Sequence, residues 1–125
     1  MLRDDLKIRL NSAFRALRKD GLVARQAFMC CQNCAGTKIA NDITVMPEEK
    51  RKAIKGTVFY TKQDAEPQRE GLYLAFGPIE TSAHGTIGED TVAVGKRTVK
   101  ALQDAGLTVE WDGTANKRIF VEDVG

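Results

Sequence analysis

The sequence predicts a single α+β domain of about five strands, mostly antiparallel, with helices packed against one face of the sheet. Its 125 residues, 42% hydrophobic and 29% charged, match one globular domain with one core. Stretches with apolar residues at helical spacing are interspersed with short β-branched and aromatic stretches. Two pairs of these strand-like stretches are neighbours in the sequence, which favours an antiparallel or mixed sheet.

Three helices and one strand are predicted in the N-terminal half of the chain. The first helix begins at an acidic residue suited to an N-cap and has one continuous apolar face. The third helix begins with a proline followed by two glutamates, the order that a helix N-terminus favours. In chain order, the elements are a helix at 4–19, a strand at 22–28, a helix at 32–41 and a short helix opening at 46–49.

Four strands and one helix are predicted in the C-terminal half. The strands are rich in β-branched and aromatic residues, and the last two alternate between apolar and polar side chains. Within the helix, Gly95 is expected to allow close packing against the sheet. The elements are strands at 57–61 and 71–76, a helix at 89–105 and strands at 107–111 and 118–122, with loops at 62–70 and 77–88.

The strands at 57–61 and 71–76 carry apolar residues on both faces. In the second strand Leu72 and Leu74 point one way, whereas Tyr73 points the other way. This pattern predicts either that both strands are central in the sheet or that a partner chain buries their second face. The second alternative predicts a homo-oligomer.

Charge and cysteine content exclude several classes of protein. A net charge of +2 is too small to indicate nucleic acid binding. No apolar stretch is long enough to cross a membrane, and the charged N-terminus differs from a secretion signal. Three clustered cysteines argue against a secreted disulfide framework and for a reducing compartment. We therefore expect a cytoplasmic protein with no nucleic acid or membrane partner.

The three cysteines, Cys30, Cys31 and Cys34, lie between a predicted strand and a predicted helix. The spacing of Cys31 and Cys34 is half of a structural zinc motif. We therefore expect either no cofactor or, as the alternative, zinc. The same spacing at a helix start is the thioredoxin-like arrangement of redox thiols. In a third interpretation the cysteines are small apolar groups buried at the junction. Cys30 belongs to the strand and is expected to point into the core.

Several residues are candidates for a pocket at the ends of two predicted strands. In the ordinary alternative, Trp111 belongs to the core and Asp64 occupies a turn. No pair of acid and base residues is recognisable, so no catalytic residue is assigned and the sequence leaves open whether the protein is an enzyme. The candidate pocket residues are Cys31, Cys34, Tyr60, Gln63, Asp64 and Trp111.

The cysteine cluster is one of several segments that match a known family pattern. Residues 28–34 have the order Phe-x-Cys-Cys-x-x-Cys, and residues 106–113 have the order Gly-Leu-x-Val-x-Trp-x-Gly. Residues 59–64 and 71–77 match as well. With these segments the chain resembles an uncharacterised family of small bacterial proteins, a domain of unknown function. The resemblance implies a bacterial origin and a compact α+β domain, and it implies no activity.

Together these observations predict a small bacterial protein that acts as a non-catalytic binding or interaction module and self-associates. Its expected partners are further copies of itself and an unidentified protein or small molecule. The alternative is a small metal- or thiol-dependent protein or enzyme that uses Cys30, Cys31 and Cys34.

Overall fold

The computed structural model describes residues 4–29, 31–62, 64 and 71–122. This part of the chain forms four helices and seven strands. The helices are α1 (Asp4–Lys19), α2 (Gln32–Thr44), α3 (Glu48–Lys52) and α4 (Thr91–Asp104). The strands are β1 (Leu22–Arg25), β2 (Gly56–Phe59), β3 (Gly71–Gly77), β4 (Ile79–Thr81), β5 (Gly85–Ile87), β6 (Val109–Glu110) and β7 (Ile119–Glu122).

Five strands form one mixed sheet in the order β1-β2-β3-β7-β6, and β4 pairs with β5 in a separate two-stranded sheet. Strands β1 and β2 are parallel, whereas the other neighbouring pairs of the large sheet are antiparallel. The predicted α+β fold with five mostly antiparallel strands is therefore confirmed. Strands β2 and β3 are both central, as their two apolar faces indicated.

Helix α1 forms as predicted because its charges and its apolar face both agree with helix geometry. Asp4 and Asp5 lie in the first turn and Arg18 and Lys19 in the last, where the helix dipole favours each sign of charge. Its apolar face packs with α4 against one face of the sheet and forms the main core. The buried residues of α1 are Leu6, Leu10, Ala13, Phe14 and Leu17.

Gly95 lies where α4 approaches the sheet, and its lack of a side chain permits that approach. A Cβ at this position would lie 2.5 Å from the ring of Trp111 and 2.8 Å from the ring of Phe76. The Asp90 side chain caps the helix by accepting the N–H of Ala93 at 2.9 Å, so α4 begins after the predicted start at residue 89.

Helix α2 packs on the opposite face of the sheet, whereas the sequence predicted helices on one face. Ile39 and Ile43 are fully buried in a cluster with Phe59, whose side chain points away from those of its neighbours Val58 and Tyr60. The parallel β1–β2 pair needs a crossover connection, and α2 is part of that crossover. The second apolar face of β2 is therefore covered from within the chain.

The segment predicted as a loop at 77–88 contains the β4–β5 hairpin. Ile79 and Ile87 are cross-strand partners there, and both pack against the second core beside α2. The Thr81 hydroxyl closes the turn by donating to the Gly85 carbonyl oxygen at 2.9 Å and accepting the His84 N–H at 3.0 Å. Strands of three residues are too short to show an alternating pattern, which explains why the sequence indicated a loop.

Candidate functional site

Two aromatic side chains lie on the face of the sheet opposite α1 and α4, beyond the part of that face on which α2 packs. Tyr73 of β3 and Phe120 of β7 are cross-strand partners, and their ring centroids are 4.7 Å apart. Tyr73 alternates with the buried Leu72 and Leu74, so its ring points away from the main core. Tyr73 is 43% exposed although β3 is a central strand. An exposed aromatic residue in this position marks the face as a candidate site of contact with a partner.

These two rings line an open groove with a volume of about 180 Å³, which we call the aromatic groove. Glu110 of β6 is the cross-strand neighbour of Phe120 and therefore lies on the same face. The turn between β6 and β7 supplies the rest of the wall. The residues that line the groove are Tyr73, Glu110, Trp111, Asp112, Lys117, Arg118 and Phe120.

Arg118 immediately precedes β7 and crosses the groove. Its Nη2 donates to the Tyr73 carbonyl oxygen at 3.0 Å and lies 3.3 Å from Oδ2 of Asp64. Its guanidinium carbon lies 5.7 Å from the centre of the Tyr73 ring, within the range of a cation–π interaction. The side chain remains 40% exposed. The contacts therefore hold a cation beside an exposed ring, where a partner can reach both.

Trp111 is held firmly at the edge of the groove. Its Nε1 donates to the carbonyl oxygens of Thr114 and Lys117, each at 3.0 Å. Its ring meets that of Phe76 edge to face, with centroids 5.4 Å apart. Asp112 fixes the same turn, because its Oδ1 accepts both the hydroxyl and the N–H of Thr114. These hydrogen bonds hold the pKa of Asp112 below its usual value, so its carboxylate is ionised at neutral pH.

The charged residues that line the groove are two of each sign. Glu110 lies on the edge strand β6, and Arg118 lies over the ring of Tyr73 on β3. Phe120 of β7 is between them, because β7 separates β6 from β3 in the sheet. Glu110 and Arg118 therefore lie on opposite sides of an aromatic floor, and the β6–β7 turn adds Asp112 and Lys117 to the rim. In the described part of the chain, no group of three His, Cys, Asp or Glu residues is arranged to hold a metal ion.

Asp64 anchors Arg118 from the turn that follows β2. Its Oδ2 accepts the backbone N–H and the hydroxyl of Thr61, both at 2.9 Å. Burial alone raises the pKa of Asp64, but the hydrogen bonds from Thr61 and the charge of Arg118 outweigh it and lower the pKa below its usual value. Asp64 therefore supports the groove as an ionised, largely buried carboxylate.

The Asp64→Asn variant is expected to be about 1–2 kcal/mol less stable than the parent at pH 7, because it keeps the shape but loses the charge that faces Arg118. A carboxylate whose pKa is lower in the native state than in the unfolded state stabilises the protein at pH values above its unfolded-state pKa. This stabilisation is lost as the pH falls through the native-state pKa. The stability difference should therefore shrink below about pH 4. Urea unfolding between pH 7 and pH 2 measures it.

The control for this measurement is Asp104→Asn, since the carboxylate of Asp104 forms a surface ion pair with Lys100 and is 67% exposed. Such pairs add little to stability, so this variant should follow the parent at every pH. If Asp64→Asn also followed the parent curve throughout, the role of the Asp64 charge would be refuted.

The two described cysteines lie in the first turn of α2. Cys31 is the N-cap residue, with φ −151° and ψ 171°, and Cys34 is the third residue of the helix. Cys31 is half-buried and Cys34 is exposed. The strand before them ends at Arg25, earlier than predicted, because Ala27 and Met29 have φ values of 46° and 62°, outside the extended region. Cys30 lies outside the described residues.

Of the predicted pocket residues, the structure places the cysteine segment near Asp64 but not near Trp111. The Lys62 N–H donates to the Met29 carbonyl oxygen at 3.1 Å, so the cysteine segment runs beside the turn that holds Asp64. Trp111 follows β6, three strands from β2, which corresponds to about 14 Å at ordinary strand spacing. Gln63 lies outside the described residues.

Tyr60 belongs to the main core instead of lining a pocket. It is 4% exposed, and its ring meets that of Phe14 edge to face. Its hydroxyl donates to Oε1 of Gln26 at 3.2 Å. Burial raises the pKa of Tyr60 to about 12, so the hydroxyl stays protonated at neutral pH.

The residues that sequence reasoning missed are those that form the groove around Trp111. Tyr73 was noted only as an apolar residue on a second strand face, and Phe120 and Arg118 were not singled out. The available signal was an aromatic residue on each of two predicted strands. What joins them is the register of β3 with β7, which pairs Tyr73 with Phe120.

The chain matches the family model DUF6891, a domain of unknown function, over residues 6–125, and it belongs to this family. The resemblance to a domain of unknown function is therefore confirmed. No curated protein and no solved structure matches the chain. Within the described residues, no helix has the length and apolar character needed to span a membrane. The family description assigns no activity, so a proposal about function has to rest on the groove and the cysteines.

Proposed function

We propose that this protein is a non-catalytic interaction module that self-associates through the aromatic groove. The observation that carries the proposal is Tyr73, a 43% exposed aromatic residue on a central strand, packed against Phe120 and Arg118. Aromatic residues and arginine are the types most enriched where proteins bind each other. The proposed function requires no cofactor.

The charges of the groove support a second copy of the chain as the partner. Under a two-fold axis the same surface meets itself, so it must be complementary to itself. Glu110 at one side of Phe120 would face Lys117 or Arg118 of the other copy, and the reverse contact would form at the same time. Opposite charges placed in this way favour one orientation of association and disfavour others.

The chemistry of the groove supports binding in preference to catalysis. Its aromatic rings provide apolar contact area, and Trp111 is fixed by two hydrogen bonds before any partner arrives. The carboxylate of Asp112 has a lowered pKa, so it is unsuited to donate a proton near neutral pH. A rigid aromatic surface with a charged rim is what an interface needs.

The proposal predicts a dimer at micromolar concentration that depends on Tyr73. Tyr73→Ser removes the exposed ring and is expected to raise the dissociation constant at least about 30-fold, which corresponds to ~2 kcal/mol for a central interface residue. Size-exclusion chromatography with light scattering over a concentration series measures the change. Circular dichroism establishes that the variant retains its fold.

The matched control is Ile8→Ser, because Ile8 is 67% exposed on the outer side of α1, away from the groove. This variant should dimerise like the parent. A second test reverses the charges: Lys117→Glu should weaken the dimer, and adding Glu110→Lys should restore it. A parent protein that stays monomeric at tens of micromolar, or equal effects of Tyr73→Ser and Ile8→Ser, would refute self-association through this surface.

A further inference from the structure

Cys31 and Cys34 lie at the start of helix α2, which is part of the crossover between the parallel strands β1 and β2. Cys31 is the N-cap and Cys34 is the third helical residue. The side chain of an N-cap residue points over the first turn, toward the backbone N–H of the second or third helical residue. Cys31 makes no such capping hydrogen bond with its side chain. Cys31 is therefore adjacent to the turn in which Cys34 lies, and its thiol is not used as a helix cap.

The spacing of these cysteines is compatible with a disulfide bond. Residues three apart lie on the same side of a helix, and the N-cap position of Cys31 places it beside the first turn, in which Cys34 lies. Dithiols with two residues between them are a common arrangement for reversible thiol–disulfide exchange.

The backbone around the cysteines is anchored on both sides. The Phe28 N–H donates to the Tyr60 carbonyl oxygen at 2.9 Å, and the Met29 carbonyl oxygen accepts the Lys62 N–H. After Cys31, the Ala35 N–H donates to its carbonyl oxygen at 3.0 Å, and the side chain of Ala35 is fully buried. The two thiols are therefore carried by a segment that is tied to β2 and to the second core.

The surroundings favour a reactive thiol at this position. Cys34 is exposed to solvent, and the first turn of α2 contains no acidic residue. The positive end of the helix dipole favours the thiolate of a cysteine in this position. Lys38, one turn further along the helix, adds a positive charge in the same region, although its ammonium also pairs with Asp42 at 2.8 Å.

We propose that Cys31 and Cys34 form a redox site that exchanges electrons with low-molecular-weight disulfides. The site goes beyond the proposed interaction function and uses different residues. The thiolate of Cys34, the more exposed of the two, attacks one sulfur of the small disulfide; a mixed disulfide forms, and the first small thiolate leaves. The thiolate of Cys31 then attacks the Cys34 sulfur, which closes the Cys31–Cys34 bond and releases the second small thiolate.

Electrons and protons balance in this sequence. The two cysteines together lose two electrons, and the small disulfide gains them. The protons from the two cysteine thiols pass through solvent to the two released thiolates, so the products are one protein disulfide and two small thiols. Excess small thiol reverses both steps.

The test incubates the native full chain in mixtures of reduced and oxidised glutathione, followed by acid quenching, alkylation and mass spectrometry. The expected product has lost two hydrogen atoms, with the bond between Cys31 and Cys34. Residues 26–38 form one tryptic peptide that contains all three cysteines, so fragmentation of this peptide locates the bond. Denaturation in urea should lower the ratio of disulfide to dithiol about tenfold, because the helix start no longer holds the thiols together.

Single variants separate the steps. Cys31→Ser should stop at the mixed disulfide and carry one glutathione on Cys34, whereas Cys30→Ser should close the disulfide like the parent. If Cys30→Ser fails to fold, fragmentation of the tryptic peptide from the parent still shows which cysteines form the bond. A bond that involves Cys30, a stable glutathione adduct on the parent, or thiols that react only after denaturation would each overturn the proposal. None of these outcomes bears on dimerisation through the aromatic groove.

Discussion

Replacing Phe14 with alanine is expected to lower the free energy of unfolding by about 3–5 kcal/mol. Phe14 is fully buried where α1 packs against the sheet. Its ring meets that of Tyr60 edge to face, with centroids 5.9 Å apart and an angle of 89° between the ring planes. Alanine loses the transfer free energy of the ring and leaves a cavity between α1 and the sheet, because the surrounding elements cannot close around so large a void.

Urea unfolding followed by circular dichroism measures this effect, with two control variants. Phe14→Leu fills most of the volume and should cost clearly less than the alanine variant. Ile8→Ala changes an exposed position of the same helix and should alter the free energy of unfolding by no more than about 0.5 kcal/mol. A loss below about 1 kcal/mol for Phe14→Ala would contradict the placement of this ring in the core.

The second large effect is expected from Gly95→Ala, which should destabilise the protein although alanine favours helices. The helix preference alone would stabilise the protein by about 1 kcal/mol. The added Cβ would lie 2.5 Å from the Trp111 ring, however, and the ring is held by two hydrogen bonds and by Phe76. Overpacking of this kind costs about 1–3 kcal/mol and should outweigh the helix preference.

Gly36→Ala provides the matched control, because a Cβ at Gly36 of α2 would meet no atom within 4 Å among the described residues beyond its chain neighbours and the helix's own backbone. This variant should gain about 0.5–1 kcal/mol from the same helix preference. Thermal unfolding of the two variants beside the parent therefore tests for shifts of opposite sign. If both variants were stabilised to the same extent, the close contact between α4 and Trp111 would be refuted.

The parts of the fold that sequence reasoning predicted well depend on local chemistry. Helix α1 was predicted with the bounds at which it occurs, because both of its ends and its apolar face are encoded within the helix. Gly95 was predicted to allow close packing because an isolated glycine inside an otherwise regular helix usually has such a reason. The central position of β2 and β3 was one of the two alternatives predicted from side chains such as Phe59, which are apolar on the second face.

The parts that sequence reasoning did not predict depend on contacts between distant segments. The pattern of α2 shows an apolar face, but which side of the sheet receives that face is decided by the crossover between β1 and β2. The β4–β5 hairpin is too short to have a periodic pattern, and its Ile79–Ile87 pair is recognisable only once it rests on the second core. In both cases the partner surface is far away in the chain.

The difference between local patterns and contacts of distant segments also explains which parts of the candidate site were predicted. Cys31 and Cys34 are close in sequence, and their position at the start of a helix was predicted from the local pattern. The aromatic groove needs Tyr73 of β3, Phe120 of β7 and Glu110 of β6 in register, and none of these pairings is local. Tyr60 was included among the candidate pocket residues because it lies at the end of a predicted strand, but its ring belongs to the main core.

The packing of α1 against α4 has a consequence for synthesis of the chain. Helix α1 leaves the ribosome before the other described elements, yet the core that buries its apolar face includes residues of α4 and β7, which are synthesised much later. At ribosomal rates of roughly 5–20 residues per second, Leu10 and Phe14 wait several seconds before their full set of partners exists. During that interval the nascent chain presents a hydrophobic helix that chaperones can bind, and a stalled or truncated chain would keep it exposed.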